Sequence, residues 1–418
     1  MRLRNCTSRT FAASLAAAFI AQATAPAFAQ PAQAPMSPDR EGGGLESDVP
    51  VAIQQLRRAM LSADVNTLTF RSMDTLFYTR VVGRSGPVWE LPREDRALDF
   101  TYRYKGERLD TDGFFDRTYT NALLIMKDGK IVTEIYRNNS DAQTRFMSWS
   151  MAKSITSMLV GVALEQGRIR SLDDQITEYI PELVGSGYEG VTIRQILQMR
   201  SGVDYEERYD FENPGVAATN HENSLVRNVT RFADAARTLK RIHEPGSHFQ
   251  YKTIDTAVLG WLVERAAGTT TAGFMAANIW EPLGAEKNGF FIMDGPPGVG
   301  REFTGAGYNA TLRDYARLGQ MMLNGGKANG RRILPAEWVD VATAPTNGEE
   351  GERGGYGYQW WTVPQSDAYY AAGLQGQYIY VDPKTKTVIV KLSYFPPGDF
   401  AAGEETMAFF EAASAWKP

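Results

Sequence analysis

The apolar residues change their period along this chain. Between residues 121 and 136, NALLIMKDGKIVTEIY, two β-branched apolar runs flank Lys127-Asp128-Gly129-Lys130, and an Asp-Gly pair in that position predicts a hairpin of two antiparallel strands. Near the other end, residues 356–361, 369–370, 377–381 and 387–394 form short aromatic or β-branched runs broken by turn residues such as Asp382-Pro383-Lys384, the pattern of a meander. Between these ends the period lengthens to that of a helix over 153–166, 192–199, 254–267 and 311–324, with Thr311 and Asp314 spaced as a capping box. A last helix over 403–415 would pack on the sheet. Strands at both ends and helices between predict an α+β fold. One antiparallel sheet, built from both chain ends, is flanked by helices and carries a mostly helical second lobe of about 170–310 inserted over one edge.

The first residues follow a different rule. Arg2, Arg4 and Arg9 precede an apolar stretch over 11–20, and Ala27-Phe28-Ala29 follows, which reads as a secretory signal peptide over 1–29 and implies a periplasmic or secreted protein. That stretch is too short to span a membrane, and no other segment approaches the roughly 18 apolar residues a spanning helix needs. From 30 to about 48 the chain is rich in Pro, Ala and Gly without apolar period; the linker is assigned to 30–60 and the globular domain to 61–418.

Cys6 is the only cysteine and lies in the leader, so the domain has no thiol nucleophile and no disulfide. The net charge is −5, with both signs scattered. That leaves no basic stripe for nucleic acid and points to a small-molecule partner.

Candidate chemistry begins at Ser150-Met151-Ala152-Lys153, where an irregular polar stretch meets a run, 154–164, without a single charge. Such a helix is buried on most faces. Serine and lysine three apart share a helix face, and the positive amino end favours charge developing on the serine oxygen. Desolvation lowers the pKa of a buried lysine and leaves an amine able to take the serine proton. The plain alternative is a helix-capping serine followed by a solvated lysine, against which stands the cost of burying an unpaired charge in an apolar run. Tyr251, at the junction of an extended run and a helix ending at Gly268, would join a proton relay if nearby lysines lower its phenol from about 10.

These residues resemble the serine hydrolases related to class C β-lactamases, penicillin-binding proteins and esterases. The run SWSMAKSITSMLVGVALEQGRIRSLDDQITEYIPEL, then VTIRQILQMRSGVDYEERYD, GYNATLRDYARLGQMML and GLQGQYIYVDP, is most similar to the 6-aminohexanoate-dimer (nylon-oligomer) hydrolase branch. The resemblance implies a β-lactamase-like fold with Ser150 as nucleophile, Lys153 as its partner and Tyr251 as proton shuttle. It implies an oxyanion hole from the backbone N–H groups of Ser150 and Leu374, and a cleft lined by Tyr205, Tyr209, Gly373 and Gln375. Two positions depart from the pattern. Thr253 stands where the family often has asparagine, and Ala371, opening Ala371-Ala372-Gly373, replaces the lysine with which β-lactamases hold a substrate carboxylate. That loss argues against strong β-lactam hydrolysis and against D-Ala-D-Ala carboxypeptidase activity.

Other mechanisms fit less well. His221, His243 and His248 are the three histidines, no Gly-x-Ser-x-Gly elbow surrounds any serine, and no His-Glu-x-x-His helix is present. Nothing calls for a metal or an organic cofactor. A non-catalytic relative binding cell-wall material in the same cleft stays open, as do a linear amide, an ester, a β-lactam or a D-amino-acid peptide as substrate, since all pass through one kind of acyl-enzyme and differ in pocket shape.

Overall fold

The computed structural model describes residues 47–346 and 355–418; the expected leader falls outside them. The hairpin forms as β1, Thr120–Lys127, and β2, Lys130–Tyr136. Asp128 and Gly129 take φ 46° and 78°, the sign that a tight two-residue hairpin turn demands at both positions. The carboxyl-terminal runs form β3, Trp361–Thr362, β4, Tyr369–Gly373, β5, Gln377–Asp382, and β6, Thr387–Ser393. One antiparallel sheet in the order β3-β4-β5-β6-β1-β2 joins the two ends of the domain.

Alternation along the central strands sends side chains into two cores. Leu124, Met126, Val388 and Val390 join the large core. There they meet the helix α3, Leu312–Leu323, while α1, Met151–Glu165, lies on the neighbouring β4 and β5 and α2, Thr253–Ala267, packs behind α1. Leu123, Ile125 and Ile389 face the other way, under α4, Phe400–Ala415. Both faces are covered, so every residue of β1 and β6 is buried.

Four expectations need correction. Residues up to 60 do not all form a linker, because Val51–Ala59 is a helix anchored by buried Arg57, which donates to the carbonyls of Leu76, Leu225 and Val226 and to Asn228. The segment 356–361 is not a strand. Gln359 sits at φ 63° and the chain folds back so that Tyr356 bridges Trp361. The capping box on α3 forms only in half. Thr311 accepts from the Asp314 N–H at 3.2 Å, but the Asp314 carboxylate turns to the N–H groups of Glu286 and Lys287. Finally, there is a second sheet. Short strands Thr79–Val82, Gly289–Ile292, Tyr308–Thr311 and Arg145–Met147 pair in that order, and the inserted lobe therefore ends in strands rather than helices.

Candidate active site

The second sheet feeds directly into the site. After Arg145–Met147, the Ser148 N–H donates to the Tyr308 carbonyl at 2.8 Å. Trp149 then takes φ 44°, a left-handed conformation that costs a bulky residue about 1–3 kcal/mol and collects at functional sites. Its indole is held edge-on by Phe70, ring centroids 5.3 Å apart. The turn delivers Ser150 to the amino end of α1, where its hydroxyl makes no capping bond.

Instead, the Ser150 hydroxyl faces a buried amine. Lys153 is 1% exposed, and its Nζ lies 3.0 Å from Ser150 Oγ, 2.9 Å from Thr253 Oγ1 and 2.9 Å from the Gly305 carbonyl oxygen. Burial lowers its pKa to about 8, against the opposing charge of Glu207. Thr253 opens α2. Gly305 presses on it so closely that a Cβ would stand 2.5 Å from the Thr253 Cγ2, so a side chain there would push the accepting carbonyl away.

Tyr251 shares a hydrogen bond with Ser150. Its pKa moves opposite to the sequence expectation: burial, then the charge of Glu207, holds the phenol well above its ordinary value. Burial is the largest cause, and the nearby lysine does not offset it. The Lys153 amine lies 4.9 Å from the ring centroid, over the face of the ring, while the negative charge of Glu207 opposes ionisation. Tyr251 is therefore a neutral phenol that can donate. On its other side, Trp361 stacks at 5.6 Å and Tyr356 meets it edge-on at 6.0 Å, with Phe249 behind, making an apolar wall next to the reacting hydroxyl.

Strand β4 closes the site from the sheet. A Cβ on Gly373 would stand 2.1 Å from the Ser148 carbonyl oxygen and 3.1 Å from the Trp149 Cβ, so only glycine lets the peptide that ends at Leu374 approach the nucleophile turn. Ala371 and Ala372 precede it, fully or almost fully buried.

Two expected cleft residues point elsewhere. Tyr205 is 0% exposed in the large core, its hydroxyl meeting Asn220 Nδ2 at 3.4 Å. The Gln375 side chain spans to the Leu61 carbonyl at 2.8 Å and to Asn66 at 3.5 Å, tying the sheet to the amino-terminal helices. Tyr209 is half-buried and its hydroxyl donates to Glu207 Oε1 at 3.1 Å.

Glu207 and Gly305 escaped the sequence reading. Glu207 Oε1 accepts from the Thr253 hydroxyl at 2.5 Å, and Oε2 accepts from the Thr253 N–H. The second of two adjacent glutamates in the loop GVDYEERYD was the available signal, whereas a glycine acting through its carbonyl leaves none. Among the described residues, no three His, Cys, Asp or Glu side chains group as metal ligands, and no helix is long and apolar enough to cross a membrane.

The sequence profile of the family described as Beta-lactamase matches residues 116–413. The chain belongs to the β-lactamase family. Within that family it is 33% identical to the 6-aminohexanoate-dimer hydrolase of Paenarthrobacter ureafaciens over 349 residues, 80% of this chain and 86% of the relative. It is 31% identical to Esterase EstB of Burkholderia gladioli over 157 residues, 35% of this chain and 38% of that protein. A solved structure assigned as a 6-aminohexanoate-dimer hydrolase from Bacillus anthracis superposes with a TM-score of 0.75 at 26% identity, covering 85% of this chain and 95% of that one. The β-lactamase-family fold and a serine hydrolase activity follow for this chain.

Proposed function

We propose that this hydrolase cleaves an amide or ester bond of a small molecule through an acyl-enzyme on Ser150, with a linear amide as the preferred substrate class. The observation that carries the reading is the Lys153 amine, desolvated and 3.0 Å from Ser150 Oγ. As the amine takes the hydroxyl proton, Oγ bonds to the carbonyl carbon and the carbonyl oxygen becomes an oxyanion, which accepts hydrogen bonds from the N–H groups of Ser150 and Leu374. Such donors contribute about 3–4 kcal/mol each in comparable acyl transfers. Tyr251 passes its phenolic proton to the departing nitrogen or oxygen and recovers one from Lys153; water then releases the acyl group by the reverse relay.

The likeness to the 6-aminohexanoate-dimer hydrolase favours the linear amide. Ala371 disfavours a substrate whose carboxylate needs a cation there. The leader over 1–29 supports placing this chemistry in the periplasm or outside the cell.

The test is a rate panel with wild type and Ser150→Ala on a linear aminohexanoate dimer, a short-chain nitrophenyl ester and a chromogenic cephalosporin. The dimer should turn over fastest, and the variant should lose about 10⁴-fold or more. Equal rates in the two proteins would leave a binding module in place of an enzyme.

A further inference from the structure

The relay described above leaves the carboxylate side chain of Glu207 without a part. Glu207 lies on the loop between Ser201 and Gly215 and touches neither Ser150 nor Lys153 directly; its contacts run through Thr253. The hydrogens along this path can be placed by counting donors. A carboxylate has none to give, so the single Thr253 hydroxyl proton goes to Glu207 Oε1 across 2.5 Å. The Thr253 oxygen can then only accept from Lys153, at 2.9 Å, and the Gly305 carbonyl, also at 2.9 Å, can only accept too. A neutral amine has two N–H bonds and both are thereby taken. Its lone pair is left on the third direction, toward the Ser150 hydroxyl at 3.0 Å.

We infer that Glu207 is a positioning residue that fixes the direction of this hydrogen-bond chain and so holds the Lys153 lone pair on Ser150. An amide at the same place has an NH₂ of its own to donate. The Thr253 hydroxyl is then able to turn and cap the lysine lone pair, and the base is lost with every heavy atom unmoved. When Ser150 attacks, its proton moves to Lys153 Nζ as the Oγ–C bond forms. The resulting ammonium keeps its bonds to Thr253 and Gly305, and the charge of Glu207 stabilises it. This agrees with the direction in which Glu207 acts on Lys153, raising its pKa against the effect of burial.

Glu207 also caps α2, since its Oε2 accepts from the N–H of the first helical residue, so a loss of rate alone would not separate positioning from support. The pH profile does. Lys153 is faced by Ser150, Thr253 and the Tyr251 ring, with Glu207 the charge that acts on it. Around Glu207 itself stand Tyr209, Tyr205, Tyr251, Tyr356, Lys252 and Asp255. The tyrosines are held above their ordinary range, and the Lys252 amine is turned to the Val203 carbonyl and Gln250 at 3.1 and 3.3 Å. Burial lowers the Lys252 amine as well and raises the Asp255 carboxyl, so the acid limb of kcat/KM is assigned to Lys153 by its 3.0 Å approach to Ser150 Oγ.

The inference rests on Ser150 and Lys153 acting as proposed above, and the experiment keeps the two apart. Rates of wild type, Glu207→Gln, Thr253→Val and the double variant are measured from pH 6 to 10, with Ser150→Ala as control. Glu207→Gln should lower kcat roughly 10- to 100-fold with little change in KM, and move the acid limb to lower pH because the opposing charge is gone. The double variant should be no slower than the slower single one, as expected of residues acting in series. A Gln variant within twofold of wild type, a slow one whose limb stays in place or moves up, or additive losses in the double variant would each overturn the role of Glu207. Undiminished turnover in Ser150→Ala would overturn the underlying reading instead.

Discussion

Among the described residues, Lys153 and Lys391 are each buried against a serine hydroxyl, one on each side of the main sheet. Lys153 lies on α1 three residues after Ser150. Lys391 lies in β6 two residues before Ser393, on the same strand face, and donates to the Ser393 hydroxyl and to the Thr118 carbonyl at 2.8 Å. Burial lowers the pKa of both, and in each case a carboxylate opposes it, Glu207 for the first and Glu405 for the second. By desolvation alone they are the same kind of group. The surroundings differ. The amide of Ser393 donates to Gln377 Oε1 at 3.2 Å and its carbonyl accepts from Gln377 Nε2 at 2.8 Å, and the Lys391 amine sits against the rings of Phe395 and Phe114 at 4.8 and 5.6 Å. Ser150 instead opens a helix beside a phenol, after a strained turn. A depressed lysine and a hydroxyl make a reactive pair only where the hydroxyl meets a helix amino end and an acid that can protonate the leaving group.

The largest effect that tests this contrast is on turnover. Lys153→Met should lower kcat/KM by about 10³-fold or more, because the proton acceptor is gone, whereas Lys391→Met should leave kcat/KM within about twofold in the same assay. Comparable losses in both would mean that the far lysine supports the site through the sheet, and the contrast would fail. Next in size, Tyr251→Phe keeps the ring against Trp361 and removes the proton donor. Its kcat should fall about 10²-fold, most on substrates with a poor leaving group and least on an activated nitrophenyl ester. An equal loss on both would reassign Tyr251 to packing.

How much of this was legible depended on the range over which each feature is encoded. The β1–β2 turn is written in two adjacent residues and α1 in an uninterrupted apolar run, so both were readable, as was the Ser150–Lys153 pair that lies within one helical turn. Thr253 was seen only as a departure from asparagine, yet its hydroxyl reaches Lys153 across 100 residues of sequence. Gly305 is 152 residues from Lys153, and Glu207 is 46 from Thr253; neither distance leaves a local pattern. The strands Thr79–Val82 and Arg145–Met147 have four and three residues, too few for alternation to stand out, and it is partner strands that make them strands. Tyr205 shows the opposite error, because a loop tyrosine looks like a ligand contact until the core it fills is known.

The smallest effect is on stability, and there the two lysines should look alike. Each has a folded pKa below that of the unfolded chain, so between the folded value and the ordinary lysine value of 10.5 the unfolded state binds the extra proton. Stability then rises with pH across that window and is lost as pH falls through it. One such group contributes a slope of up to about 1.4 kcal/mol per pH unit. For Lys153 the window runs from about 8 to 10.5. Methionine at either position removes one proton from the difference, so urea unfolding of Lys153→Met and Lys391→Met should each rise less steeply than wild type between pH 8 and 10. Tyrosines and other alkaline groups titrate in all three proteins and cancel in the comparison. Parallel curves for one variant would mean that its lysine keeps an ordinary pKa in the folded state. For Lys153 that would undercut the neutral amine on which the acyl transfer depends; for Lys391 it would dissolve the likeness that makes the two sites worth comparing.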